Sequence, residues 1–208
     1  MELDPHHWDP LPVPEVAALL HGLPIPWWIA GGWALDLFLG GTTRAHEDTD
    51  IVILRRDQPA LQPHLRGWAL FKTKQPEWPH LAPWPEGEFL EHPISDVWVR
   101  DRVEDGPWRF QFMYMEAEGE EWVYRRLSAI RGAIAEMGLV TADGIPYLAP
   151  EIQLLHKGNS LREKDTADLE RVLPHLPRPR ARWLLSALRQ QHPQGHDWLA
   201  RVARACGE

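Results

Sequence analysis

A chain of 208 residues, 44% hydrophobic and 25% charged, is long enough for one sizeable domain or for a core with a small helical companion, and its composition is that of an ordinary soluble protein. It lacks an apolar run long enough to span a bilayer and a basic segment followed by an apolar one at its start, so the expected address is the cytoplasm, with no membrane partner. The net charge of -8 argues against a nonspecific duplex-binding protein, whose affinity rests on neutralising phosphates, and suits a cationic small partner; the single Cys206 has no internal disulfide partner.

Residues 1–12, with Pro5, His6, His7, Pro10 and Pro12, read as an irregular lead-in, and His6-His7 has no further ligand at a recognisable metal spacing. Residues 14–22 predict a short helix with Pro in its first turn and Gly at its end. The run 27–30 reads as a strand that breaks at Gly31-Gly32, and 33–39 as a helix stopped by Gly40-Gly41. Gly31 and Gly32 carry no side chains, so the backbone there approaches a phosphate closely, with its N–H groups at the start of a helix where anions are favoured.

Residues 42–47 form a loop that delivers Asp48 and Asp50 to a strand whose Ile51-Val52-Ile53-Leu54 is apolar at both parities, as in a strand covered on both faces. Side chains alternate along a strand, so Asp48 and Asp50 project from one side about 7 Å apart, and two carboxylates there meet one cation. Arg44 and His46 lie where they contact phosphate or support a carboxylate; for His46 the plainer reading is a hydrogen bond that pins the loop. Asp36, inside the helix, is open between orienting Arg44 or a substrate and forming a surface salt bridge.

Downstream, 58–65 suggests a helix interrupted by Pro59 and Pro63, and 68–73 alternates like a strand. Residues 74–93 hold no periodic pattern, as expected of a functional loop or edge hairpin; its acids Glu77, Glu86, Glu88 and Glu91 either attract a polyamine-like acceptor or, the preferred reading, keep the loop solvated. Strands over 94–100 and 108–115, with a turn signal in Glu104-Asp105-Gly106-Pro107, read as a hairpin. A helical pattern covers 120–135, an extended piece 145–150, and helices follow from Pro150 to 157, over 164–176 and over 179–205. Asp165 and Asp168 read as local partners of Arg162 or Arg171. The division that results is a core over 1–118 and a mainly helical part over 119–208.

Taken together, Gly31-Gly32-Trp33-Ala34-x-Asp36 and Thr43-Arg44-x-His46-x-Asp48-x-Asp50 resemble the signature of the aminoglycoside 2''-adenylyltransferase-like proteins, within the DNA polymerase β-type nucleotidyltransferase superfamily. Tyr147-Leu148-Ala149-Pro150-Glu151-Ile152-Gln153-Leu154-Leu155-x-Lys157, then Arg162-x-Lys164-Asp165-x-x-Asp168, follow in the same order. The resemblance implies an α+β nucleotidyltransferase fold, a small mixed sheet flanked by helices with a C-terminal helical part. It implies a magnesium-dependent enzyme, with two Mg²⁺ ions during turnover, moving AMP from ATP or another nucleoside triphosphate to a hydroxyl of a small aminoglycoside-like acceptor. Asp48 and Asp50 would hold the metal, Gly31, Gly32, Arg44 and His46 would serve the nucleotide, and Lys157 or else Lys164 would reach the triphosphate.

Such enzymes bring a third carboxylate from a neighbouring strand, and the position expected to be acidic is Gln111. A neutral amide matches a carboxylate neither as metal ligand nor as base. Asp96 is the favoured replacement; Glu116 shares no strand parity with Gln111. Two alternatives stay open: a nucleotide-binding protein with a degenerate site, and a transferase that modifies protein or RNA, as in toxin-antitoxin systems.

Overall fold

The run at 51–54 that is apolar at both parities sits at the centre of the molecule, with each of its four residues at most 4% exposed. The computed structural model describes residues 3–74, 80–102 and 106–208. The turn acids Glu104 and Asp105 and the loop acid Glu77 lie outside the described residues. In chain order the first elements are α1 (Val13–Leu19), β1 (Trp27–Ile29), α2 (Gly31–Leu39) and β2 (Asp50–Leu54). After a 3₁₀ turn over Arg55–Ala60 come α3 (Leu61–His64), β3 (Trp68–Lys74), β4 (His80–Pro83), β5 (Asp96–Asp101) and β6 (Trp108–Glu118). Then follow β7 (Glu121–Val123), β8 (Arg131–Ala133), β9 (Gly138–Val140), β10 (Pro146–Leu148), α4 (Pro150–Lys157), α5 (Glu163–Val172), α6 (Arg178–Gln191) and α7 (Leu199–Cys206).

Among the described residues the strands form one mixed sheet of ten, in the order β4-β3-β5-β6-β2-β1-β10-β9, with β7 leaving this path to pair with β6 and β8. β2 runs antiparallel to β1 and parallel to β6, and β1 runs parallel to β10. Ile29, Ile51, Val97, Phe110 and Phe112 are fully buried in the core. α2 ends where Gly40 takes up a left-handed conformation, φ +77°, and donates its N–H back to the helix, a termination that glycine adopts without steric penalty. α4 contacts both α2 and α6, burying Ile152, Leu154 and Leu155, and Cys206 is a buried free thiol in α7.

The boundary at 118/119 falls in the tight β6–β7 turn, where Glu118 pairs with Glu121 and Gly119 has φ +57°. The residues beyond it supply α4 to α7 and also four strands, one of which, β10, lies beside β1. No helix among the described residues is long and apolar enough to cross a membrane.

Where helix was expected over 120–135, the chain forms the β7–β8 hairpin, with Trp122 opposite Gly132. Val123, Leu127 and Ile130 stand at helical spacing by coincidence. Their segment bends instead because the N–H of Tyr124 bonds the carbonyl of Ile130 at 2.9 Å, and the bare Gly132 leaves room for the Trp122 indole. Over 58–65 the prolines divide the helix into the 3₁₀ turn and the single turn of α3, since Pro59 and Pro63 have no N–H to donate. Within 74–93, β4 adds to the edge beside β3.

Candidate functional site

Register on three adjacent strands brings the acids together. Asp50 on β2 is paired with Gln111 on β6, Val52 with Met113, and Met113 in turn with Asp96 on β5. Paired residues share a face and so do residues two apart, so Asp50, Gln111, Met113 and Asp96 all project from the same side of the sheet. Asp48 lies just outside β2, which begins at Asp50. The intervening Thr49 is buried on the opposite side, where its hydroxyl donates to the carbonyl of Leu11 at 2.8 Å. Asp48, Asp50, Asp96 and Gln111 thus line one open cleft of about 1030 Å³.

Gln111 Nε2 donates to Asp50 Oδ1 at 2.5 Å, so the amide sits against the very carboxylate that a third acid would adjoin. Burial, and then the negative charge of Asp48, push the Asp50 carboxyl up to about 7; the Gln111 hydrogen bond and Lys157 pull the other way. Asp96 is also raised by burial, opposed by the hydrogen bond from Ser95 Oγ at 2.5 Å. Glu116 has a different employment: it accepts from Arg55 Nε at 2.7 Å, and Arg55 also donates to the carbonyls of Leu90 and Ile94.

The glycine pair is required by the close approach of side chains. Gly31 has φ +66°, and a Cβ there would overlap Asp50 Oδ2; a Cβ on Gly32 would overlap Arg44 and the His46 ring. The N–H of Gly31 donates to Gln153 Oε1 on α4 at 2.8 Å. The space expected for a phosphate is therefore shared with Asp50, Arg44 and His46.

Asp36 is buried and organises the loop rather than bridging to Arg44. It accepts from Thr43 N at 3.1 Å and from Thr43 Oγ1 at 2.6 Å, and its Oδ2 lies 2.6 Å from His46 Nε2. The His46 ring rests on Trp33, centroids 4.2 Å apart, so this histidine pins the loop.

The cations expected to meet phosphate are engaged with acids. Arg44 makes a two-pronged contact with Asp168, Nε and Nη2 both at 3.1 Å. Lys157, 7% exposed, lies 3.1 Å from Asp165 and 3.0 Å from Asp168. Arg162 also bonds Asp165, at 2.7 Å, and Arg171 reaches Asp168 at 3.4 Å. Lys164 pairs with Glu47 at 3.1 Å on the surface. The local pairs read from the sequence for Asp165 and Asp168 exist, but both acids are buried, and beyond those pairs Asp168 joins Arg44 to Lys157 while Asp165 joins Arg162 to Lys157.

Sequence reasoning missed two contributors to the cleft. The lead-in runs alongside β6, with Trp8 bridged to Trp108 and the N–H of Leu11 bonded to the carbonyl of Arg109, and this puts Pro5, His6, Trp8 and Pro10 on the cleft wall. Arg125 and Arg126, at the β7–β8 turn, line it as well. The dipeptide Arg125-Arg126 was visible as a charge pair, but a helix offered no reason to aim it at the acids. Of the described acids in 74–93, Glu88 pairs with Lys72 and Glu86 lines a separate hollow; none lines the cleft.

Residues 13–79 match the family described as Aminoglycoside-2''-adenylyltransferase. The chain is similar in structure to the antibiotic-resistance factor ANT(2'')-Ia in solution, with a TM-score of 0.55 at 15% identity over 88% of this chain and 91% of that one. It also matches the lincosamide antibiotic adenylyltransferase LnuA bound to lincomycin, with a TM-score of 0.49 at 18% identity over 75% of this chain and 90% of that one. No curated protein sequence matches the chain.

Proposed function

From a chain that has the nucleotidyltransferase fold and resembles the aminoglycoside-2''-adenylyltransferases over residues 13–79, we propose a transferase that moves AMP from ATP to a hydroxyl of a small acceptor, with antibiotics of the aminoglycoside class the first to test. The observation that carries this reading is that Asp50 and Asp96, on one face of the sheet, line an open cleft together with Asp48.

The donor set suits Mg²⁺. Asp48 and Asp50 are neighbouring hard-oxygen carboxylates, and a cation would offset both the burial and the Asp48 repulsion that raise Asp50. Bound by Asp48 and Asp50, Mg²⁺ supplies charge stabilisation and alignment for an in-line displacement.

In that displacement the acceptor hydroxyl oxygen bonds to the α-phosphorus while the bond from that phosphorus to the bridging oxygen of the β-phosphate breaks. The electron pair leaves with pyrophosphate, and the hydroxyl proton passes to Asp96, whose burial raises its proton affinity. Gly31 and Gly32 set the backbone beside the phosphates, and Arg44, His46 and Lys157 hold that backbone in place through Asp168, Asp36 and α4. Lys164 stands at the rim with Glu47.

Incubation with magnesium, labelled nucleoside triphosphates and a panel of aminoglycosides tests the reading; labelled acceptor and pyrophosphate are the expected products. Asp48→Asn with Asp50→Asn should reduce turnover at least 10³-fold on the order expected for lost charge stabilisation, with an unchanged far-ultraviolet spectrum. Activity surviving that double change would remove the pair from the mechanism. The amide of Gln111 on Asp50 favours a second reading, a protein that binds nucleotide without turning it over. Tight binding of Mg·ATP with no product from any acceptor is its signature.

A further inference from the structure

We infer that Arg125 and Arg126, on the β7–β8 turn, hold the polyphosphate of the nucleotide in an inner chamber beside Asp50, and so stabilise the leaving pyrophosphate. This rests on the transferase reading above. The chamber measures about 220 Å³ and opens beside the carboxylate cleft; Gly31, Asp50, Asp96 and Lys157 share its lining with the two arginines.

Most of the positive charge around the cleft is already paired. Arg44 and Lys157 share Asp168, Lys157 and Arg162 share Asp165, and Lys164 is paired with Glu47. Arg125 and Arg126 are exposed, and among the described residues neither makes a hydrogen bond or an ion pair; Arg126 stands over the Tyr124 ring, 6.0 Å from its centroid. Repulsion from Arg126 outweighs the attraction of Asp96 for Arg125, and among the described residues no carboxylate pairs directly with either guanidinium, a situation relieved by a multivalent anion.

Orphaned groups in the chamber point to the same ligand. Tyr114, 6% exposed, has a buried hydroxyl with no hydrogen-bond partner, and so does the Nε2 of His156. Both residues line the chamber. Burial, followed by the charges of Arg126 and Arg125, drives His156 down to about 3, which keeps the ring neutral. A chamber with two free guanidiniums, an unused hydroxyl and an unused ring nitrogen offers donors enough for phosphate oxygens.

The bond that breaks is the one between the α-phosphorus and its bridging oxygen, and the new charge appears on the β-phosphate. Cations fixed on that side act where charge develops, so their removal should lower kcat as well as nucleotide affinity.

The test is calorimetric titration of the full chain with inorganic tripolyphosphate, which separates the polyphosphate from base and acceptor. Arg125→Ala with Arg126→Ala should weaken binding about 100-fold, since each charge-assisted contact is worth roughly tenfold or more. Arg125→Lys with Arg126→Lys should recover part of the loss. Arg189→Ala with Arg201→Ala, which removes two remote charges from the surface, should bind as the parent does. If the double alanine variant binds tripolyphosphate like the parent while the parent still transfers AMP, this inference falls and the transferase reading stands. If the parent binds neither tripolyphosphate nor any nucleoside triphosphate, both fall.

Discussion

Gln111 and Asp96 are the two residues that bear on the third carboxylate expected near Asp50. Gln111 occupies the register position beside Asp50 but donates to it, whereas Asp96 comes from the strand on the other side of β6. Asp96→Asn should reduce kcat by about 10² to 10⁴, the range for loss of a general base, with the KM for ATP little changed. A fall confined to KM would instead make Asp96 a binding group. Gln111→Glu removes the donor from Asp50 and adds a like charge; in urea denaturation without divalent ions it should destabilise the fold by about 1–3 kcal/mol, and added Mg²⁺ should restore most of that. Gly31→Ala meets both a left-handed backbone and Asp50, so loss of metal-dependent activity is expected before loss of the fold.

The β7–β8 hairpin is the element on which the periodicity of the sequence misleads. Its apolar residues stand at helical spacing, but the pairing of Trp122 with Gly132 and the turn closed between Tyr124 and Ile130 decide for a hairpin. Gly132→Val drives a side chain into the Trp122 indole, where even a Cβ would stand 3.0 Å from Nε1. It should cost about 1–3 kcal/mol and alter the near-ultraviolet tryptophan signal, the usual consequence of overpacking. By contrast α4 was legible down to its first residue, because Pro150 and Glu151 favour a helix N-terminus and tertiary packing agrees with that local preference. β2 was equally plain, since a strand covered on both faces needs an unbroken apolar run.

At the scale of the whole molecule, Asp165 and Asp168 tie the loop at 42–47 to α4 and α5. Burial alone would raise both carboxyls, but for Asp168 the hydrogen bond from Arg44 together with Lys157, and for Asp165 the hydrogen bond from Arg162 together with Lys157, hold them below the ordinary carboxylate value. Asp168→Asn leaves Arg44 and Lys157 short of a counter-charge, and a loss of about 3–5 kcal/mol is expected in urea denaturation. A carboxyl lowered in the folded state stabilises fully above its unfolded value, near about 3.9, and loses that contribution as the pH drops through the folded value. The stability gap between the parent and Asp168→Asn should therefore hold steady from pH 8 to about 5 and close only below about 4. A gap that closes near neutrality would mean that Asp168 is not held ionised by Arg44 and Lys157.

The two acids, the glycine turn and the order of the main helices are readable along the chain, since each of these rests on contacts within a few residues or on a period of two or 3.6. Which cations are free is settled by folding. Arg44 meets Asp168 across 124 positions, and Gln153 reaches Gly31 across 122, and no local pattern encodes either pairing. Whether a charge is consumed in a buried network or left facing the cleft depends on distances through space, and the chain reveals these only once the sheet has closed around them.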